Sequence, residues 1–274
     1  MSDGGDPGSQ LARLVLAMEQ TWQSILDLAA SLDDDDWSRP TRCPGWDVHD
    51  QVAHVVSLEQ LLAGGPLAPE APAAAYVRNA VGAHMERGVH ALRGTPPAEL
   101  VDLLSAVIAT RTAALQANPP QPGDTMLGVM GHQVPVESTL PIRVFDLWAH
   151  EQDVRTATGR PGNQSGLGAE VSRDAIVSVL PMRWAKAAGA KPGDVLVLRV
   201  DGGLDFERTV IVGEDGRARL APDAPGEPTA VIELGWADLV ARACGREGAE
   251  ATAVGLGGDE EMARAVVDAL PMSP

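Results

Sequence analysis

A change of residue pattern near Gly166 constrains the fold more than any other feature of this sequence. Before that point, apolar residues recur at helical spacing, as they do over residues 11–32. After it come short β-branched runs separated by Gly, Asp and Pro turns, which are typical of strands and hairpins. The sequence therefore predicts a helical N-terminal region followed by a smaller α+β region with an antiparallel sheet.

The predicted elements give each region an architecture. The first region has five helices with loops short enough for an up-and-down bundle, at 11–32, 46–62, 74–92, 97–117 and 138–158. The second region has helices at 167–188, 236–244 and 259–270 and strands at 195–200, 208–212 and 229–234. We place the domain boundary between a bundle over 1–163 and an α+β domain over 164–274.

The charge balance narrows the possible partners. The 274 residues include 21 Lys and Arg against 38 Asp and Glu, for a net charge of -17. Nucleic acids and anionic membranes bind basic patches, so we expect neither as a partner. There is no apolar run of roughly 18 residues to span a membrane, and Cys43 and Cys244 are too few for a disulfide framework. The first ten residues (MSDGGDPGSQ) are polar, so we expect no secretory leader. We expect a cytoplasmic protein, monomeric or homodimeric.

The segment 141–155 carries the chemistry-bearing residues that stand out most. Its polar stripe consists of Arg143, Asp146, His150 and Asp153, which share one helical face. Apolar residues flank the stripe, and a charge that faces a bundle interior must be paired or bind a metal. A carboxylate and an imidazole four residues apart are also a good pair of zinc ligands.

A third ligand would have to come from another helix, and His54 is the best candidate. It lies beside the apolar stripe of the 46–62 helix and could point between helices. From the pattern alone, however, the favoured interpretation is that His54 and His150 are half-buried histidines with ordinary hydrogen bonds, because this spacing is a weak motif.

Two segments resemble the mycothiol-dependent maleylpyruvate isomerase family, whose N-terminal bundle is DinB-like. Residues 42–54 (RCPGWDVHDQVAH) resemble its C-P-G-W-x-V-x-D-x-x-x-H segment, and the 143–153 stripe falls where its second motif is expected. The tail, with Cys244-Gly245-Arg246 and then 256–259 (LGGD), is similar to its sterol-carrier-like C-terminal domain. The resemblance covers nearly the whole chain.

The resemblance implies a metalloenzyme that uses a small thiol. A divalent metal, usually zinc, would be bound by His54, Asp146 and His150 with a fourth position open. Zinc would keep the thiol of mycothiol deprotonated and nucleophilic. In the isomerases the thiolate adds to an activated double bond, the new single bond rotates, and elimination gives the trans product, whereas in related transferases the thiol stays attached. Arg246 would bind the substrate carboxylate.

Asp146 departs from the family pattern, in which this position is Glu. The side chain is one methylene shorter, and the lost reach of about 1.5 Å exceeds the tolerance of a metal site, about 0.2 Å, unless the backbone shifts. Without such a shift, metal binding at this position is weak or absent. We expect a zinc-dependent isomerase or S-transferase that acts on a small electrophilic carboxylate. The alternative is a non-catalytic small-molecule or partner-binding protein that keeps the bundle but not the chemistry.

Overall fold

A computed structural model describes residues 6–246 and 248–272 of the chain. The described residues divide into two compact units, an N-terminal unit up to Ser172 and a C-terminal unit from Arg173 onward. The division falls within a helix, whereas the boundary predicted from the sequence lies between residues 163 and 164. The domain boundary between residues 163 and 164 stays a prediction.

The N-terminal unit is a helical bundle, as predicted. Its main helices are α1 (Pro7–Ala30), α2 (Val48–Leu62), α3 (Ala80–Leu92), α4 (Pro97–Ala117) and α5 (Val136–Thr158), and α6 (Leu167–Ser178) begins in this unit. Helices α1 and α2 each pack against both α4 and α5, so these four form a four-helix bundle, and α3 lies against α2. A hairpin of β1 (Thr125–Leu127) and β2 (Gln133–Pro135), which the sequence did not predict, precedes α5.

Local side chains fix where these helices begin. Asp6 caps α1 by accepting a hydrogen bond from the Ser9 amide at 3.2 Å, and Pro7 occupies the first turn. Asn79 caps α3 in the same way, because its side chain accepts from the Gly82 amide at 3.0 Å. The prediction that this helix begins at residue 74 was therefore wrong, since the cap lies five residues later.

Helix α5 buries two chemically different faces. Its apolar face contributes Leu140, Val144 and Leu147 to the bundle core, which also contains Trp22 of α1 and Val52 of α2. Its polar stripe is buried as well, since Arg143, His150 and Asp153 are each less than a tenth exposed. Burying charged groups costs free energy unless each has a partner, so this stripe must be paired within the bundle.

The C-terminal unit is built on a five-stranded sheet in the order β5-β4-β3-β6-β7. The strands are β3 (Val195–Asp201), β4 (Phe206–Val212), β5 (Ala218–Ala221), β6 (Ala230–Gly235) and β7 (Gly255–Gly258). Neighbouring strands are antiparallel except for β3 and β6, which are parallel. The α+β class with antiparallel strands is confirmed, and β5 and β7 are additions to the prediction.

The helices of this unit correct one prediction. The single helix expected over 167–188 is two helices, α6 and α7 (Leu180–Lys186), and the later helices are α8 (Trp236–Ala243) and α9 (Glu260–Asp268). Pro181 lies in the first turn of α7 and has no N–H to donate to the Val177 carbonyl, so the helical hydrogen-bond ladder stops there. Within the described residues, none of the helices combines the length and apolar character needed to cross a membrane.

Candidate metal centre

Two helices of the bundle bring three potential metal ligands together. His54 lies on α2, and Asp146 and His150 lie one turn apart on α5. The Nε2 atom of His54 is 3.3 Å from Asp146 Oδ2, and the Nε2 atom of His150 is 3.6 Å from Asp146 Oδ1. One ligand atom from each residue falls within 4.8 Å of the other two. The sequence predicted these residues as a set, and the fold places them in one cluster.

The exposure of the cluster differs between its members. The side chains of both histidines are buried, at 3% exposed for His54 and 9% for His150, whereas the Asp146 side chain is 30% exposed. Solvent therefore reaches the carboxylate, while the imidazoles are held inside the bundle.

A short relay of hydrogen bonds fixes the tautomer of His150. The Thr41 hydroxyl donates to the Trp46 carbonyl at 2.8 Å, so its oxygen accepts from Gln51 Nε2, also at 2.8 Å. With its amide nitrogen engaged, Gln51 presents Oε1 to His150 Nδ1 at 2.5 Å, and Nδ1 must carry the hydrogen. In neutral His150 the lone pair is then on Nε2, which faces the Asp146 carboxylate.

The electrostatic environment keeps the Asp146 and His54 side chains in metal-binding forms. Burial alone would raise the pKa of Asp146, but the positive charge of Arg143 and the nearby histidines hold it well below its usual value. Burial, together with the neighbouring His150, lowers the pKa of His54. A neutral imidazole and an ionised carboxylate are the protonation states that bind a cation.

A buried ion network supports Asp146 from behind. Arg143 donates from Nη1 to Asp146 Oδ2 at 2.7 Å and from Nη2 to Glu59 Oε1 at 2.8 Å. The second oxygen of Glu59, a residue with no exposed surface, accepts from Arg111 Nε at 2.9 Å. Two guanidinium groups and two carboxylates balance in charge, so the network can be tolerated inside the bundle.

Trp46 covers the two imidazoles. Its ring centroid lies 5.1 Å from that of His54 and 5.7 Å from that of His150. The indole Nε1 donates to Glu86 on α3 at 3.0 Å, and the same carboxylate accepts from the Tyr76 hydroxyl at 2.9 Å. The ring is therefore held in place from α3.

The turn before α2 brings Trp46 to this position. The Trp46 amide donates to the Cys43 carbonyl at 3.1 Å, with Pro44 second in the turn and Gly45 third at φ +78°. This is the pattern of a type II turn, which requires positive φ at its third residue. A Cβ atom at Gly45 would also lie 2.2 Å from the Tyr76 ring. Both the positive φ and this close contact therefore require glycine at the position.

The donor set fits a divalent cation. In the neutral form of His150 the hydrogen lies on Nδ1, so Nε2 and the facing Asp146 Oδ1 are both acceptors with no proton between them. A cation between two acceptors turns this unfavourable contact into two favourable ones. The Nδ1 atom of His54 is buried without a hydrogen-bond partner in the part of the chain that the structure describes, so its tautomer is left open and Nε2 can carry the lone pair. Two histidines and one carboxylate are a set found at catalytic zinc sites with an open position.

A second group of potential ligands, formed by Asp47, His49 and Asp50, is already engaged elsewhere. Asp47 caps α2 through the Asp50 amide at 2.9 Å, and Asp50 pairs with Arg93 at 3.0 Å. His49 Nε2 lies 2.9 Å from the Thr95 carbonyl oxygen. These contacts account for the group structurally.

Arg246, predicted to bind the substrate carboxylate, belongs to the C-terminal unit. It is 9% exposed there, and its Nη1 donates to the Cys244 carbonyl at 2.8 Å. Its amide donates to the Ala241 carbonyl at 2.9 Å, which closes the end of α8. The role of Arg246 with a substrate stays a prediction.

Sequence reasoning missed Gln51, Glu59 and Arg111. A usable pattern was present, since Gln51 and Glu59 are polar residues within the mainly apolar run of α2 and are fully buried. A buried polar residue in such a run needs a partner, and here the partners come from α5 and α4.

Comparison with known proteins connects this architecture to one family. Residues 18–155 match the family model of the mycothiol maleylpyruvate isomerase N-terminal domain. The fold is similar to the crystal structure of the mycothiol-dependent maleylpyruvate isomerase, with a TM-score of 0.53 and 19% identity over 90% of this chain and 92% of that one. A histidine-to-alanine variant of that isomerase gives a TM-score of 0.52 at 18% identity.

The structural likeness, at such low identity, establishes a shared fold. No curated protein matches the chain. The family model, however, covers about half of the sequence and includes all three clustered residues as well as the turn at Trp46. The chain therefore belongs to the mycothiol-dependent maleylpyruvate isomerase family.

Proposed function

We propose that this protein is a thiol-dependent metalloenzyme that carries out cis–trans isomerisation or S-transfer on a small electrophilic carboxylate. The observation that carries the proposal is the cluster of His54, Asp146 and His150, in which Nε2 of His150 faces the Asp146 carboxylate. The family name supports mycothiol as the thiol. Zinc is the metal that we propose, and another divalent cation is compatible with the same donors.

Each residue of the cluster has a task in this proposal. A bound divalent cation would act as a Lewis acid that keeps the thiol in its nucleophilic thiolate form near neutral pH. Gln51 holds His150 in the tautomer that binds, and Arg143 keeps Asp146 ionised. Trp46 covers both imidazoles with an apolar ring, which limits access of water to them.

The reaction is balanced without an oxidant or reductant. In isomerisation, a carbon–sulfur bond forms as the double bond opens, rotation follows, and the same bond breaks to restore the double bond and the thiol. In S-transfer, the carbon–sulfur bond remains and a leaving group departs. We propose that the guanidinium of Arg246 binds the substrate carboxylate in a bidentate manner.

The proposed partners are small molecules in the cytoplasm, namely a low-molecular-weight thiol and the carboxylate substrate. The net charge of -17 disfavours nucleic acid and anionic membrane surfaces, because both repel an acidic protein.

One observation favours a second candidate, a non-catalytic small-molecule-binding protein. Arg143 already places a cation 2.7 Å from Asp146, so this carboxylate has a charge partner without any metal. In that case the bundle would keep the family architecture and bind a small molecule without catalysing a reaction.

An assay of the full-length protein tests the proposal. The purified chain is mixed with mycothiol and either maleylpyruvate or a panel of electrophilic carboxylates, and the products are followed by NMR. We expect conversion that requires the thiol and falls to background in His54→Ala. The matched control is His90→Ala, because His90 is an exposed histidine of α3 outside the cluster. Conversion that is independent of His54, or no thiol-dependent product from any substrate in the panel, would contradict the proposal.

A further inference from the structure

Glu59 is a fully buried acid next to the candidate metal centre, yet it is not one of the clustered residues. It has no exposed surface and lies on α2, five residues after His54. Its two carboxylate oxygens are divided between two arginines from different helices, Arg143 on α5 and Arg111 on α4. A carboxylate with both oxygens engaged by guanidinium groups is held in a defined orientation.

Arg143 transmits this constraint to Asp146. Its guanidinium donates one nitrogen to Glu59 and the other to Asp146 Oδ2, so the planar group links the two carboxylates rigidly. Because Asp146 Oδ2 is taken up by Arg143, Oδ1 is the oxygen left facing His150. The orientation of Asp146 therefore depends on where Arg143 is anchored, and that anchor is Glu59.

The charges lead to the same conclusion. Without the negative charge of Glu59, Arg111 would lose the carboxylate with which it pairs, and Arg143 would keep only that of Asp146. An unpaired buried charge is strongly unfavourable, so Arg143 would be drawn toward Asp146 and would compete with a cation for it.

We propose that Glu59 is a positioning residue, which acts through Arg143 to orient Asp146 toward the histidine pair and leaves its Oδ1 available to a divalent cation. This inference rests on the proposed metal binding by His54, Asp146 and His150. In this arrangement the side chain of Asp146, which is one methylene shorter than the family's Glu, is held in one orientation by Arg143.

The test measures metal binding by the full-length protein in the absence of substrate. The protein is freed of metal with a chelator and titrated with Co²⁺, whose visible absorption reports the coordination of the ion. We expect Glu59→Gln to weaken Co²⁺ binding by about tenfold or more, as supporting residues of metal ligands do. The matched control is Asp36→Asn, since Asp36 is also a buried carboxylate shared by two arginines, Arg39 and Arg160, but contacts none of the three clustered residues. Its affinity should stay within about twofold of that of the wild type.

A double-mutant cycle separates positioning from a general structural role. If Glu59 acts through Arg143, then Glu59→Gln combined with Arg143→Gln should bind Co²⁺ no more weakly than Arg143→Gln alone. Additive losses would overturn the inference, because they would mean two independent effects. Should Glu59→Gln fail to fold, Glu59→Asp keeps the charge but shortens the reach to both arginines, and we expect it to lose affinity as well. Wild-type affinity in that variant would overturn the inference.

The outcomes distinguish this inference from the proposed function. Wild-type protein that binds Co²⁺, with Glu59→Gln binding equally well, removes the role of Glu59 and leaves the metal centre standing. Wild-type protein that binds no Co²⁺ contradicts the metal centre itself, and the inference falls with it.

Discussion

At the residue scale, the hydrogen bonds of one threonine determine which nitrogen of a histidine faces the candidate centre. Thr41 has a single hydroxyl hydrogen, which it donates to the Trp46 carbonyl, so its oxygen accepts from the amide nitrogen of Gln51. The amide oxygen of Gln51 is then the group that accepts from His150 Nδ1. Relays of this kind hold metal-binding histidines in the correct tautomer, and their loss typically costs about ten- to a hundredfold in metal affinity.

Replacement of Gln51 tests this relay. We expect Gln51→Leu to weaken zinc binding by about tenfold or more, because the Nδ1–H of His150 loses its buried acceptor. Gln51→Glu keeps an acceptor oxygen at the same reach and should bind zinc more tightly than the leucine variant. Competition against a chromophoric chelator measures both affinities. Equal affinities in the wild type and in Gln51→Leu would show that the relay has no influence on the centre.

The sequence could predict the three clustered residues but not the groups that orient them. Asp146 and His150 are one turn apart on a single helix, and helical geometry alone places them on one face. Gln51 and Glu59 contact residues that are 99 and 84 positions away, respectively. Such contacts depend on how the helices pack, which local periodicity does not encode.

At the element scale, the approach of α3 to α2 connects helix packing to the centre. A Cβ atom at Gly88 of α3 would lie 2.4 Å from Ser57 Oγ and 2.6 Å from Ser57 Cβ on α2. Glycine therefore permits a helix contact that no other residue would allow without displacement. Because Glu86 of the same helix holds Trp46, the position of α3 also sets the cover over the histidines.

Two glycine substitutions in this helix should have opposite effects. We expect Gly88→Ala to lower the free energy of unfolding by about 1–3 kcal/mol, as overpacking does. Gly82→Ala is the matched control, because its nearest neighbour would be Val77 at 3.7 Å, and it should raise the free energy of unfolding by up to about 1 kcal/mol. Urea denaturation measures both. Equal effects of the two substitutions would mean that Gly88 does not determine the contact.

Most elements followed from local patterns, and the exceptions have physical causes. Helix α4 has the bounds predicted from its periodicity, whereas Pro181 divides a predicted helix in two. Strand β7 (sequence GLGG) contains no β-branched residue, so its strand conformation follows from pairing with β6 and not from its own propensity.

At the scale of the whole molecule, the candidate functional residues lie in different units. The N-terminal unit contains the candidate metal centre, and the C-terminal unit contains Arg246. The family model matches residues of the N-terminal unit, so it supports the candidate metal centre more directly than a role for Arg246.

Substitution of Arg246 tests the contribution of the C-terminal unit. We expect Arg246→Ala to lower kcat/KM by about tenfold or more, because the substrate carboxylate loses a charged partner. Arg242→Ala is the control, since Arg242 also donates to a backbone carbonyl of this unit, that of Thr252 at 2.9 Å. If turnover by Arg246→Ala equals that of the wild type, the arginine has no part in substrate binding.

The central claim is that His54, Asp146 and His150 bind a metal, and the metal content of the purified full-length protein tests it most directly. Elemental analysis should find a near-stoichiometric divalent metal in the wild type and none in the His54→Ala/His150→Ala double variant. A His49→Ala/His90→Ala double variant is the control, because it removes two histidines outside the cluster, including the histidine of the second candidate group. It should retain the metal. Wild-type protein that is purified without chelators, contains no metal and takes up none when zinc is added would contradict the account.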